Sequence, residues 1–238
     1  MGKHVLILNL MVDSDLNDSV GQWSRHFGDV PYTAVHLPSG EAAPALDQVS
    51  HLLVGGSEVS LCEPAEWMHA AADLTRQAAA RGLPILGNCF GHQLIAWSLS
   101  GERYVRRAPN PEIGWVDVEI VEEDELLDGL PGTWRAFAFH FDEVCDLPRP
   151  WQTLARNADC AFQAIRYGDR PIWGIQPHPE IGPEEGRRLL EMAAPFVSEA
   201  APEYAPRLAR ALEQEPRDDA VTRRIVDNFL RQPGRGGS

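Results

Sequence analysis

Apolar residues come first in short unbroken runs and later in alternation with polar ones, and the change of period divides the chain in two. Residues 4–10, 32–37 and 51–54 are compact apolar stretches, each ending in polar or glycine-rich sequence. A run of that length without alternation fits a strand covered on both faces, the condition of a parallel sheet. Helix signals recur between and after the runs. Residues 20–27 follow the cap-like Asp18 and Ser19, and residues 64–81 open on Pro64 and close at Gly82. Strand alternating with helix predicts an α/β domain built on a parallel sheet. Residues 83–87 add one more buried strand, which passes straight into a helix over 91–100 ended by Gly101.

From Trp115 onward the texture changes. Residues 115–121 alternate acids with apolar side chains, and residues 133–140 alternate aromatic and small ones. Residues 161–176 read as a hairpin turning at Gly168-Asp169, so this half is richer in antiparallel strands. Helices return over 183–197, 204–215 and 220–230, with a hinge expected across 195–206 and a frayed end from Gln232. No internal repeat or long linker interrupts the chain. The expected organisation is one domain over 1–198 with a helical extension over 199–238.

Composition narrows the class. The 238 residues carry 21 Lys plus Arg against 35 Asp plus Glu, a formal charge of −14, and 44% of them are apolar. Such a chain buries a sizeable core. Its acidic balance argues against a nucleic-acid backbone or an anionic membrane as principal partner, since either selects for clustered Lys and Arg. The first apolar run stops at Asp13, far short of the roughly 20 residues of a membrane span, and no small-residue cleavage site follows it. The expectation is a cytoplasmic protein. Cys62, Cys89, Cys145 and Cys160 are scattered, which fits neither a disulfide framework nor a zinc knuckle. The eight histidines form no ligand pattern, so neither a metal nor another cofactor is expected. The acidic run 122–125 reads as a solvated loop. Trp115 and Trp173 read as core rather than pocket lining.

Candidate chemistry concentrates at the junction of the fourth apolar run with its helix. Cys89 stands there with Gly87 and Gly91 two positions to either side, the arrangement of a nucleophile elbow with Cys in place of Ser. Flanking side chains would collide where strand and helix close together. The helix start favours thiolate over thiol and leaves free N–H groups near the reacting carbonyl. Four cysteines among about 7% glycine would produce the motif by chance with probability of roughly 0.02. A cysteine nucleophile needs a base, and the base an orienting acceptor. His178 and Glu180, two apart in an extended segment stiffened by Pro177 and Pro179, can lie side by side and supply both. An oxyanion hole needs two convergent N–H groups, for which Phe90 and Gly56 of the Gly55-Gly56-Ser57 turn are the candidates.

At these residues the sequence resembles the class I glutamine amidotransferase family, whose members use a Cys-His-Glu triad. The resemblance rests on Gly55-Gly56, the segments 87–93, 112–115 and 140–144, and the segment 173–180, over about residues 45–182. It is greatest to the stand-alone, GMP-synthase-like branch. It implies a three-layer, flavodoxin-like α/β fold, with a central mostly parallel sheet, an antiparallel portion and helices on both faces. It also implies that Cys89 attacks the side-chain amide of glutamine, forming a γ-glutamyl thioester and releasing ammonia, and that water activated by His178 frees glutamate. Gly55, Gln93 and the backbone near His140 and Phe141 are the implied holders of the substrate's α-amino and α-carboxyl groups. The sequence departs from the family at Ser57, where proline is frequent, and at Asn88, where an apolar residue is frequent. Asn88 either orients the loop or contacts substrate.

Two enzyme readings share this chemistry and differ in the leaving group. One is a glutaminase delivering ammonia to a separate synthase chain, and the other is a free-standing γ-glutamyl hydrolase acting on an amine or peptide amide. An inactive, metabolite-binding or regulatory relative fits poorly with an intact Cys89, His178 and Glu180. A flavodoxin-like cofactor protein fits poorly too, because residues 9–13 hold no Gly/Ser/Thr-rich phosphate loop.

Overall fold

The computed structural model describes residues 2–13 and 15–233. Strand β1 (Val5–Asn9) shows why the early apolar runs lack alternation. Leu6 and Leu8 enter one core cluster and Val5 and Ile7 a second on the opposite face, all at 1% exposure or less. Strands β2 (Tyr32–His36), β3 (His51–Val54) and β4 (Ile85–Asn88) join it in parallel. Helix α1 (Ser19–Ser24) is capped as the sequence suggests, with the Asp18 carboxylate accepting from the Gly21 N–H at 2.9 Å. Helix α2 (Glu66–Ala80) buries Met68, Ala71, Ala72, Thr75, Ala78 and Ala79, a stripe at three- and four-residue spacing that lies against the first cluster. Helix α3 (Phe90–Ser100) is buried nearly all round and follows β4 with one residue between.

The second half is longer in strand than the alternation suggests. β5 runs Val105–Ile120, ten residues earlier than Trp115, because Pro109 and Pro111 sit in an irregular stretch between Arg107 and Glu112 that masks the period. It pairs with β6 (Thr133–Val144), then touches β7 (Trp151–Arg156), a strand with no clear signal in the sequence. β8 (Ala164–Tyr167) and β9 (Ile172–Ile175) form the expected hairpin around Gly168, and β9 returns parallel to β4. Among the described residues the sheet has nine strands in the order β2-β1-β3-β4-β9-β8-β7-β5-β6, with four parallel and four antiparallel pairings. It curls back on itself: the Phe137 carbonyl in β6 accepts from the His178 N–H, just beyond β9, at 2.7 Å.

Helix α4 (Pro183–Ala200) continues through Pro195, and a short turn over Pro202–Tyr204 leads to α5 (Ala205–Glu213). Both pack on a third cluster containing Ile113, Trp115 and Phe137. Helix α6 (Thr222–Arg231) instead buries Ile225 and Phe229 with Val5, Ile7 and Leu53 in the second cluster. The end expected to fray is described only to Pro233, and residues 234–238 lie outside the described residues. The acidic run is less solvated than expected. Asp124 is 2% exposed and accepts from Arg166 at 2.8 Å and from the Trp173 indole at 2.9 Å, because β8 and β9 present those donors beside it. Trp115 and Trp173 are buried. No helix among the described residues is long and apolar enough to cross a membrane.

Candidate active site

Cys89 occupies the residue between β4 and α3 at φ 48° and ψ −112°, a conformation that costs on the order of 1–3 kcal/mol for a non-glycine residue. It is held there by its own N–H donating to the Ile175 carbonyl in β9 (2.9 Å) and its carbonyl accepting from Gln93 (3.1 Å). The flanking glycines are required by close approach. A Cβ on Gly91 would lie 2.0 Å from the Val54 carbonyl oxygen, and one on Gly87 would lie 2.5 Å from the Gly91 oxygen.

His178 and Glu180 come together as expected, by a different backbone. His178 bridges to Phe137, and the chain then turns through Pro179 and Glu180, where the sequence suggested an extended segment. The side chains still meet: His178 Nδ1 donates to Glu180 Oε1 at 2.7 Å, and the carboxylate is 1% exposed. An acceptor-only oxygen at Nδ1 fixes the tautomer and leaves Nε2 for the sulfur. Gly56 marks how close the groups are, since a Cβ there would sit 3.2 Å from His178 Cε1 and 3.9 Å from Cys89 Cβ. Burial opposes a charge on His178, but the Cys89 sulfur and the Glu180 carboxylate outweigh it and raise the imidazole well above its ordinary pKa. Among the described residues no hydrogen bond engages the N–H of Gly56 or of Phe90.

The residues expected around the substrate are tied into one buried network. The Gln93 amide donates to the Asp142 carbonyl (2.8 Å) and to Gln176 (3.2 Å). The His140 ring is taken up by the same Asp142 carbonyl (2.9 Å) and by Glu112 (2.8 Å), so only its main chain is left for other contacts. Glu112 also accepts from Asn157 and Gln163, both at 2.6 Å. Burial works against its charge, and the donors, His140 first, offset that and hold its carboxyl below the usual range. Phe141 is half-buried against Tyr204, with ring centroids 4.9 Å apart. The Phe139 carbonyl, 4.0 Å from Cys89 Sγ, brings the main chain of β6 beside the sulfur. Gly55 follows β3 with its N–H on the Leu8 carbonyl (3.0 Å).

Three supports escaped sequence reasoning. Arg25, beside α1, donates to the Glu180 carbonyl at 2.6 Å and pairs with Glu185 at 2.9 Å. Thr222, opening α6, donates to the Pro179 carbonyl. Neither carries a local signal, being 155 and 43 residues from its target. Asn88 is the third: its Nδ2 donates to Glu180 Oε1 at 2.9 Å, so its side chain faces the carboxylate beside the nucleophile.

With this geometry in hand, comparison with known proteins decides the family. A model of the glutamine amidotransferase class-I family matches residues 27–194. The chain belongs to that family. One of the two kinds of chain named for a glutamine-hydrolysing GMP synthase, from Sulfolobus acidocaldarius, is 36% identical over 148 residues, covering 62% of this chain and 76% of the relative. The corresponding GMP synthase chain from Pyrococcus abyssi is 42% identical over 118 residues, covering 49% of this chain and 62% of the relative. The match thus spans less than two thirds of that relative's length. Solved amidotransferase structures share the fold. One from Thermotoga maritima superposes with a TM-score of 0.77 at 22% identity over 97% of both chains. Another from Methylobacillus flagellatus gives 0.78 at 22% identity over 100% of this chain and 98% of its own. The class I amidotransferase fold expected from the sequence is therefore present.

Proposed function

We propose that this class I amidotransferase hydrolyses the side-chain amide of glutamine through a thioester on Cys89, and that a separate synthase chain consumes the ammonia. The observation that carries the reading is the junction of Cys89 with the buried His178–Glu180 pair, whose raised imidazole favours a thiolate–imidazolium couple. The thiolate attacks the amide carbon, and the oxyanion meets the N–H groups of Gly56 and Phe90. His178 passes its proton to the leaving nitrogen as the C–N bond breaks, releasing ammonia. Neutral His178 then takes a proton from water, whose oxygen attacks the thioester. The C–S bond breaks, glutamate leaves, and the thiolate–imidazolium pair is restored. Gly55, Gln93 and the main chain of His140 and Phe141 are our candidates for holding the amino acid's charged end, supported by the passage of β6 beside the sulfur. No cofactor or metal enters these steps. Residues 1–198 carry the chemistry in this reading, with the extension over 199–238 bracing Pro179 through Thr222. A separate synthase is supported by the relatives, whose names make them single subunits of GMP synthase.

The test is glutamate release from glutamine and, in parallel, from a γ-glutamyl arylamide, with Cys89→Ala as blank. Cys89-dependent glutamine turnover is the expected result. Rapid arylamide turnover with little on glutamine would replace the reading with a free-standing γ-glutamyl hydrolase, and full activity in Cys89→Ala would overturn the mechanism.

A further inference from the structure

Glu180 Oε1 carries two donors at once. His178 Nδ1 stands at 2.7 Å and Asn88 Nδ2 at 2.9 Å, while the two nitrogens lie 3.1 Å from each other. A carboxylate only accepts, so the amide must turn its NH2 toward Glu180, and Asn88 Oδ1 is left buried with no partner among the described residues. An asparagine at 1% exposure with half of its amide unsatisfied is a costly choice for a strand end. Packing alone is served equally well by a leucine of nearly the same shape. Asn88 also immediately precedes the nucleophile, and its Nδ2 lies 3.8 Å from where a Gly56 Cβ would stand.

We infer that Asn88 is a positioning residue that sets how tightly the His178–Glu180 pair holds its proton, by drawing on the carboxylate oxygen that orients the imidazole. The inference rests on the proposed thiolate mechanism. A second donor on Oε1 disperses the negative charge that otherwise stabilises the imidazolium. The pair therefore releases its proton more readily, which serves the hydrolytic half of the cycle. Once the sulfur is acylated, His178 has to be neutral to take a proton from water, and Glu180 on its own would keep it charged. The other ionisable groups facing the pair are the Cys89 sulfur, Arg25 on the Glu180 carbonyl, and His26 and Glu185 beside Arg25. Phe137 and Gly56, packed against the imidazole from β6 and from beyond β3, carry no charge.

The experiment follows alkylation of Cys89 by a haloacetamide against pH, read on the Cys89 peptide so that exposed Cys62 does not interfere. It needs no substrate and uses the full chain. The wild type should show an alkaline step where the imidazolium beside the thiolate gives up its proton. Asn88→Leu should move that step up by about one pH unit, the size expected for one hydrogen bond to a charged group. Asn88→Ala, which lacks the donor but crowds nothing, should move it the same way. In a Glu180→Gln background Asn88→Leu should produce no further shift. An alkaline step unmoved in both Asn88 variants, or an equal shift without the carboxylate, overturns the inference. A wild-type profile with one ordinary thiol step overturns the thiolate reading itself, a result distinguishable from the other two.

Discussion

Gly91→Ala puts the geometry of the elbow to a quantitative test. The new Cβ meets the Val54 carbonyl oxygen at 2.0 Å, its carbon at 2.7 Å and the Gly55 oxygen at 2.9 Å. All three are main-chain atoms, and Val54 is locked between β1 and β4, so no side chain can swing aside. Reaching the 3.4 Å of ordinary contact requires α3 and the end of β3 to part by about 1.4 Å. The helix cannot relax toward β4 either, because Gly87 packs against the Gly91 main chain from that side. The separation therefore falls between Gly56 and the Cys89-Phe90 turn, the two candidate halves of the oxyanion site. Overpacking of this kind costs about 1–3 kcal/mol, roughly 5–10 °C in Tm for a chain of this size. A displacement of about 1 Å at a reacting centre costs on the order of 10²-fold in rate. Differential scanning fluorimetry and kcat/KM for Cys89-dependent amide hydrolysis measure both. Gly132→Ala, where nothing lies within 4 Å, is the control. A Gly91→Ala protein with wild-type kcat/KM and a Tm within about 2 °C of the parent would refute the argument that contact, rather than chance, put glycine there.

Cys89→Ala should abolish hydrolysis with the fold intact by circular dichroism, and His178→Asn should come close to that. Glu180→Gln should cost less, about 10–10²-fold in kcat, because the turn holding it stays braced by Arg25 and Thr222; a loss equal to that of Cys89→Ala would contradict this. His51 gives a pH dependence of stability. Its ring is fully buried and edge-on to Phe229, and burial chiefly lowers its pKa to about 4. The folded value lies below the unfolded one of about 6.5, so stability is complete above that pH. It should fall as pH drops through the window toward about 4, by about 3 kcal/mol in all from this residue. Denaturant midpoints against pH should flatten in His51→Phe, and an unchanged slope would remove His51 from the account. His92, fully buried with its pKa lowered to about 3, acts in the same sense. Deleting the chain after Ala200 removes Ile225, Val226 and Phe229 from the second cluster. At about 1.5–3 kcal/mol for each buried side chain, the truncated protein should fail to fold cooperatively. A soluble, cooperatively melting truncation would show that the extension is dispensable to the core.

What the sequence determined by itself was local and periodic. Unbroken apolar runs marked strands buried on both faces, because β1 does send alternate side chains into two cores. The glycines around Cys89 marked the elbow, because only a residue without Cβ tolerates contact with the Val54 carbonyl. The spacing of His178 and Glu180 brought their side chains together even though the backbone turns where an extended segment was expected. The family followed from these motifs, since each is fixed by residues near one another in the chain. What escaped was long-range or irregular. Prolines hid the first ten residues of β5, and β7 carried too little alternation to stand out. Asp124 looked solvated until β8 and β9 supplied it with donors. Arg25 and Thr222 reach the carbonyls of Glu180 and Pro179 from helices at opposite ends of the chain, and Asn88 faces a carboxylate 92 residues away. Those contacts exist only after the sheet has curled and brought β4, β9 and the helices to one edge. Residue type and spacing record the constraint a side chain places on its own backbone, whereas the partner of a buried polar group is chosen by tertiary packing.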